Sequence, residues 1–204
     1  TDEGRNFKEV LKEAQEKGYA EANPTYDIEG IDAAHKLAIL IRLAFGTPFQ
    51  FKEIFIGGIS EITPLDIQFS REFGYRIKLL AITKIDKGKI EARVHPTMIP
   101  EGHLLSTVEG VFNAIYIKGD AVGPTLFYGQ GAGQMPTGSA VVSDLVELGR
   151  NILIRASGRR VPLLSFQESA IEKIPLKKMD DVVMPFYMRF SALDRPRVRS
   201  KISG

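Results

Sequence analysis

Apolar residues recur at helical spacing from the start of the chain. Phe7, Val10, Leu11 and Ala14 fall on one face of a segment running from Asn6 to Lys17, with charges on the other face and Gly18 as its stop. The next stretch, Tyr19 to Asp27, carries Pro24 with Asn and Asp residues and is predicted to be a loop. A longer helix is predicted from Glu29 or Gly30 to Phe45, ended by Gly46 and Pro48. Ile31, Leu37, Ala38, Ile39, Leu40, Leu43 and Ala44 make it apolar on nearly every side, which predicts a buried helix.

The middle of the chain alternates. Phe51 to Ile56 reads as a short strand. Thr63-Pro64-Leu65-Asp66 has an N-cap, a proline at the first helical position and an acid in the first turn, opening a helix to Phe73. Tyr75–Lys84 and Lys89–His95 are strands joined by Ile85-Asp86-Lys87-Gly88, with His95-Pro96-Thr97 as a strand end. Val111–Lys118 and Thr125–Tyr128 are two more strands. Gly129-Gln130-Gly131-Ala132-Gly133 then leads into a helix from Thr137 to about Leu153, with Val141, Leu145 and Leu148 on its apolar face. Residues 155–184 have the mixed composition of a connector, and Pro185 to Leu193 alternates like one strand. The expected fold is α/β in an α+β arrangement: a mixed β-sheet of about five strands with helices packed on one face.

Composition narrows the class. The chain has 204 residues, 44% apolar and 25% charged, enough for a real core without staples. A net charge of +2 gives no reason to expect nucleic acid or an anionic membrane. Cysteine is absent, which excludes disulfides, thiolate metal sites and cysteine catalysis. No run approaches the roughly 18 apolar residues of a membrane span. Thr1 to Arg5 lacks a signal-peptide core and a starting Met, so a cytoplasmic protein, cut from something longer, is expected.

The densest chemistry is Glu21, Asp27, Asp32 and Lys36. Asp32 and Lys36 are four apart on a predicted helix and share a face. Glu21 and Asp27 lie in the loop feeding that helix. Carboxylates can neutralise a substrate ammonium, and a lysine can move a proton. The same pattern also describes a solvated ion pair with turn and cap residues, and spacing leaves both open. The glycine turn at 129–133 follows a strand and precedes a helix, where backbone N–H groups bind polar groups, but it departs from the dinucleotide fingerprint. A tight turn is its other reading. His35, His95 and His103 form no metal-ligand set and are expected to be structural.

The stretch from Gly18 to Leu37, Gly-Tyr-Ala-Glu-Ala-Asn-Pro-Thr-Tyr-Asp-Ile-Glu-Gly-Ile-Asp-Ala-Ala-His-Lys-Leu, closely resembles the signature of homoserine dehydrogenases. Gly57-Gly58-Ile59-Ser60, His95-Pro96-Thr97, Asn113-Ala114, the glycine turn and Pro136-Thr137 resemble the same family in the same order, over about residues 5–154. The resemblance implies interconversion of L-homoserine and L-aspartate 4-semialdehyde with NAD or NADP, in threonine, methionine and isoleucine biosynthesis. It implies Lys36 as the general acid/base, Asp32 beside it, Glu21 and Asp27 as substrate-binding residues, and Gly131 and Gly133 near the cofactor. Asn23 stands where many relatives have Asp. The resemblance further implies a homodimer formed through the sheet, with residues 1–154 as the catalytic and dimerisation domain and the cofactor domain upstream of Thr1. Tyr187 to Pro196 resembles the first strand and turn of an ACT domain, with Arg197 in place of the usual Gly. By itself, this chain is expected to bind the amino acid and dimerise without turning it over.

Overall fold

A computed structural model describes residues 7–16, 22–131, 133–154 and 171–191. The first helix, α1 (Phe7–Glu16), carries its apolar stripe as expected. Beyond it the chain turns at Asn23. The Asn23 Oδ1 accepts from the Thr25 hydroxyl at 2.6 Å and from the Thr25 amide at 3.3 Å. The predicted loop therefore gives way to a single helical turn, α2 (Thr25–Ile28). Pro24 is at φ −82°, and its carbonyl accepts from the amides of Asp27 and Ile28, so the proline starts helix rather than preventing it.

Gly30, at φ +75°, redirects the chain into α3 (Ile31–Phe45). Its buried face is Ala34, Leu37 and Ile41. These residues meet Ile54, Ile90, Ala92 and Val94 to form the core, with Phe45, Phe49, Ile56, Leu79, Ile174 and Leu176 packed around it. Full burial of one such aliphatic side chain is worth about 1.5–3 kcal/mol.

The sheet has three strands in the order β1 (Phe55–Ile56), β3 (Lys89–Pro100), β2 (Tyr75–Asp86). The predicted strand at 51–56 is a 3-10 turn over Phe51–Glu53 followed by only two paired residues, because β1 meets β3 only at Arg93 and Val94. β2 and β3 pair antiparallel along their whole length, from Tyr75–Pro100 to Asp86–Lys89. His95, Pro96 and Thr97 thus lie inside β3, not at its end. Pro96 is tolerated there because β1 reaches only to Val94, so the β3 edge opposite Leu79 needs no amide from residue 96. On the face away from α3, Glu91 and Arg93 form a buried ion pair.

α4 (Pro64–Glu72) packs on β2 and begins with the predicted cap. The second pair of strands, β4 (Phe112–Gly119) and β5 (Gly123–Gln130), forms a separate antiparallel hairpin, so the expected five-stranded sheet is instead three strands plus two. It is tied to β2 by Lys78 Nζ donating to the Val108 carbonyl at 2.8 Å and by an Arg76–Glu109 ion pair at 2.6 Å. α5 (Gln134–Leu153) follows and buries no residue.

The connector is partly built into the body. Ile90 donates to the Pro175 carbonyl and Lys177 donates to the Ile90 carbonyl, which covers the β3 edge that β1 leaves open. The buried Thr47 hydroxyl donates to the Glu172 carbonyl and accepts from the Ile174 amide. The alternation from Pro185 does not produce a strand over residues 185–191. Among the described residues it makes no strand pairing, and the Tyr187 and Arg189 side chains reach Asp66 of α4 instead. Residues 192–204, with the rest of the ACT-like stretch, lie outside the described residues. Among the described residues no helix is long and apolar enough to cross a membrane.

Candidate active site at the α2–α3 junction

Asp32 occupies the first turn of α3, where the positive helix end favours a carboxylate. Lys36 follows one turn later, and its Nζ lies 2.7 Å from Asp32 Oδ2. The acid is N-terminal to the base, the better orientation for such a pair. The pair is not buried: the Lys36 side chain is 63% exposed and that of Asp32 45%. Burial expected from the apolar look of α3 is therefore confined to the Ala34–Leu37–Ile41 stripe, and Ile39 is itself exposed. An exposed pair of this kind adds only about 0.3–0.5 kcal/mol to stability. It leaves an ammonium group accessible with a carboxylate fixing its position.

Asp27 sits on α2, which packs against α3. Gly30 sets the angle between the two helices. A side chain at Gly30 would be strained at its positive φ, and its Cβ would come within 3.0 Å of Val94 Cγ1. The third acid of the predicted cluster, Glu21, lies outside the described residues.

The loop from Gly57 to Ile62 lies across this junction. The Ile59 amide donates to the Ile28 carbonyl at 2.9 Å, and the Ser60 hydroxyl donates to Glu29 Oε1. A Cβ at Gly58 would fall 2.8 Å from both Glu29 Cα and the Ile28 carbonyl oxygen, so only glycine allows this approach. Glu29 and Ser60 fall within two of the family-like stretches but are not singled out there as site residues. The Gly57-Gly58 pair was the available clue.

Gly131 and Gly133 stand elsewhere, where β5 passes into α5. No hydrogen bond or ion pair among the described residues joins this turn to α2 or α3. Gly133 is at φ +120° and precedes the first residue of α5. A Cβ at Gly131 would collide with the side-chain amide of Asn113, so Gly131 and Asn113 are in close contact across the hairpin. Gly131 and Gly133 are exposed and carry no side chain, which fits the close approach of a flat polar group.

The three histidines hold structure together. His35 stacks on Phe51 with centroids 4.1 Å apart. His95 Nε2 accepts from Arg93 Nε at 2.9 Å. His103 Nδ1 accepts from the Leu105 amide and caps a 3-10 turn over Leu104–Thr107.

A sequence profile of the homoserine dehydrogenase family matches residues 1–146. The chain belongs to the homoserine dehydrogenase family. Homoserine dehydrogenase of Neisseria gonorrhoeae is 47% identical over 204 residues, covering 100% of this chain and 46% of that protein. The crystal structure of a homoserine dehydrogenase from Thiobacillus denitrificans superposes with a TM-score of 0.82 at 54% identity, over 89% of this chain and 42% of that one. A hyperthermophilic archaeal homoserine dehydrogenase mutant in complex with NADPH aligns with a TM-score of 0.55 at 32% identity, over 71% of this chain and 40% of that one. The chain spans about half the length of the relatives it matches.

Proposed function

We propose that this chain carries the substrate-binding and proton-transfer part of a homoserine dehydrogenase, interconverting L-homoserine and L-aspartate 4-semialdehyde. The observation that carries the reading is the accessible Lys36–Asp32 pair, 2.7 Å apart on the first turns of α3 and beside the α2 turn that bears Asp27. Reduction of the aldehyde develops negative charge on oxygen. A protonated Lys36 aimed at that oxygen offsets the charge and donates the proton; in the reverse direction the neutral amine removes it from the alcohol. Asp32 holds the Lys36 nitrogen in place through both directions. Glu21 supplies a carboxylate for the substrate's ammonium group, and Asp27 orients the substrate.

A nicotinamide cofactor, when bound, supplies or accepts the hydride, which no side chain can do. The exposed glycines Gly131 and Gly133 fit one edge of such a group. The reading includes a homodimer built on the β4–β5 hairpin, a place in the aspartate-derived biosynthesis of threonine, methionine and isoleucine, and a cytoplasmic location.

The test is Lys36→Ala in the full-length protein. Turnover of homoserine should fall about 100-fold or more, the usual scale for a general acid/base. Turnover within twofold of the parent would remove Lys36 from the chemistry.

A further inference from the structure

Arg189 lies far from Asp27 and Lys36 in sequence, yet it closes a chain of contacts that ends beside them. Its Nε donates to Asp66 Oδ1 at 2.7 Å, and its Nη2 donates to Thr63 Oγ1 at 3.2 Å and to Asp66 Oδ2 at 3.4 Å. Tyr187 adds a hydrogen bond from its hydroxyl to Asp66 Oδ1 at 3.2 Å. Thr63 and Asp66 are the two ends of the α4 capping box. Asp66 Oδ2 accepts from the Thr63 amide at 2.9 Å and from its hydroxyl at 2.5 Å. Asp66 is buried, so the guanidinium supplies the compensating charge that a buried carboxylate needs.

Thr63 is also where the Gly57–Ile62 loop ends. That loop has three anchors. Its start is held by the Gly57 amide on the Val94 carbonyl at 2.7 Å. Its middle rests on the α2 turn through Ile59–Ile28 and Ser60–Glu29. Its end is the capping box gripped by Arg189. The loop is too close-packed on Glu29 at Gly58 to shift without moving the α2 turn.

We infer that Arg189 is a positioning residue: by clasping Thr63 and Asp66 it sets the Gly57–Ile62 loop against the α2 turn and thereby tunes how the Asp27 side of the site binds its substrate. Lys36 and Asp32 pair within α3 and make no hydrogen bond to this loop. The clasp therefore acts on ground-state binding rather than on proton transfer. Its kinetic consequence rests on the homoserine reading; its structural consequence does not.

The experiment compares full-length parent, Arg189→Ala and Arg189→Lys by steady-state kinetics and by amide hydrogen exchange. Arg189→Ala should raise KM for homoserine roughly 3- to 10-fold with kcat within about twofold, the pattern of lost ground-state binding. Exchange at the Ile59 and Ile62 amides should accelerate about fivefold or more, as local opening becomes easier. Arg189→Lys keeps the charge and loses the fork, so it should recover part of both effects. Lowered thermal stability with unchanged KM and unchanged protection at Ile59 would overturn the inference and leave Arg189 a plain tether. Should Arg189→Ala fail to fold, Arg189→Lys decides by the same two readouts. If the parent protein does not oxidise homoserine, the proposed function fails, and exchange at Ile59 alone decides the role of Arg189.

Discussion

Asp66 carries the clearest electrostatic signature among the described residues. The Arg189 guanidinium, aided by the Thr63 hydroxyl and amide and by the Tyr187 hydroxyl, outweighs the effect of burial and holds the Asp66 carboxyl well below the usual carboxylate range. A carboxyl that is more acidic in the folded than in the unfolded state stabilises the fold above its unfolded value, near pH 4, and loses that contribution as pH falls toward its folded value. The protein should therefore lose stability steadily below about pH 4. Asp66→Asn should flatten that acid branch while lowering stability at neutral pH, where the charge on Arg189 loses its partner. Urea midpoints measured between pH 2 and pH 7 check this; an acid branch of equal slope in the variant would show that Asp66 titrates normally. Asn23 is explained at the same scale. Its side-chain oxygen closes an Asx turn ahead of α2 by accepting from Thr25, a task an aspartate performs equally, so the replacement leaves the α2 start intact.

Between elements, Gly30 has the largest leverage, because it sets α2 against α3. Gly30→Ala meets both left-handed strain and Val94, whereas Gly74→Ala has a similar φ of +76° with nothing within 4 Å of the new Cβ. Strain alone should cost about 1–2 kcal/mol at Gly74. Gly30→Ala should cost about 1 kcal/mol more from crowding of the buried Val94, and calorimetric unfolding of the two variants separates the contributions. Equal losses would mean that Val94 yields freely. Local signals of this kind were readable in the sequence: the Thr63–Asp66 cap, the Asp86-Lys87-Gly88 turn and the Gly46 stop set their elements because each acts within a few residues. Partner-dependent features were not readable. β3 runs through Pro96 only because its free edge begins there, the 51–56 run keeps two paired residues only because it meets β3 at Arg93 and Val94 alone, and 185–191 has no strand beside it among the described residues, its Arg189 reaching Asp66 instead. The same division holds at the site. Asp32–Lys36 follows from helical spacing, while Glu29–Ser60 depends on a loop crossing more than thirty positions of sequence.

For the whole molecule, the distribution of apolar surface is uneven. One part, α3 with β1–β3, has a closed core. The other, β4–β5 with α5, leaves Ile115, Ile117 and Phe127 exposed on one side of the hairpin, and Val141, Leu145 and Leu148 exposed along α5. A twenty-residue helix with an apolar stripe and no buried residue gains almost nothing from packing against the described residues. A two-stranded hairpin is equally marginal alone. Both call for a covering surface, and continuous apolar patches of this kind mark protein contacts. In the proposed homodimer, a second copy meeting the Ile115–Ile117–Phe127 side would cover the hairpin through a self-complementary contact. Sedimentation equilibrium of the parent at micromolar concentration should give a dimer. Ile117→Lys combined with Phe127→Lys places like charges across the two-fold contact and should shift the equilibrium to monomer, with circular dichroism unchanged for the α3–β3 body. A parent that sediments as a monomer, or a variant that remains fully dimeric, would place the dimer contact elsewhere or remove it, and α5 would then need its cover from a different surface.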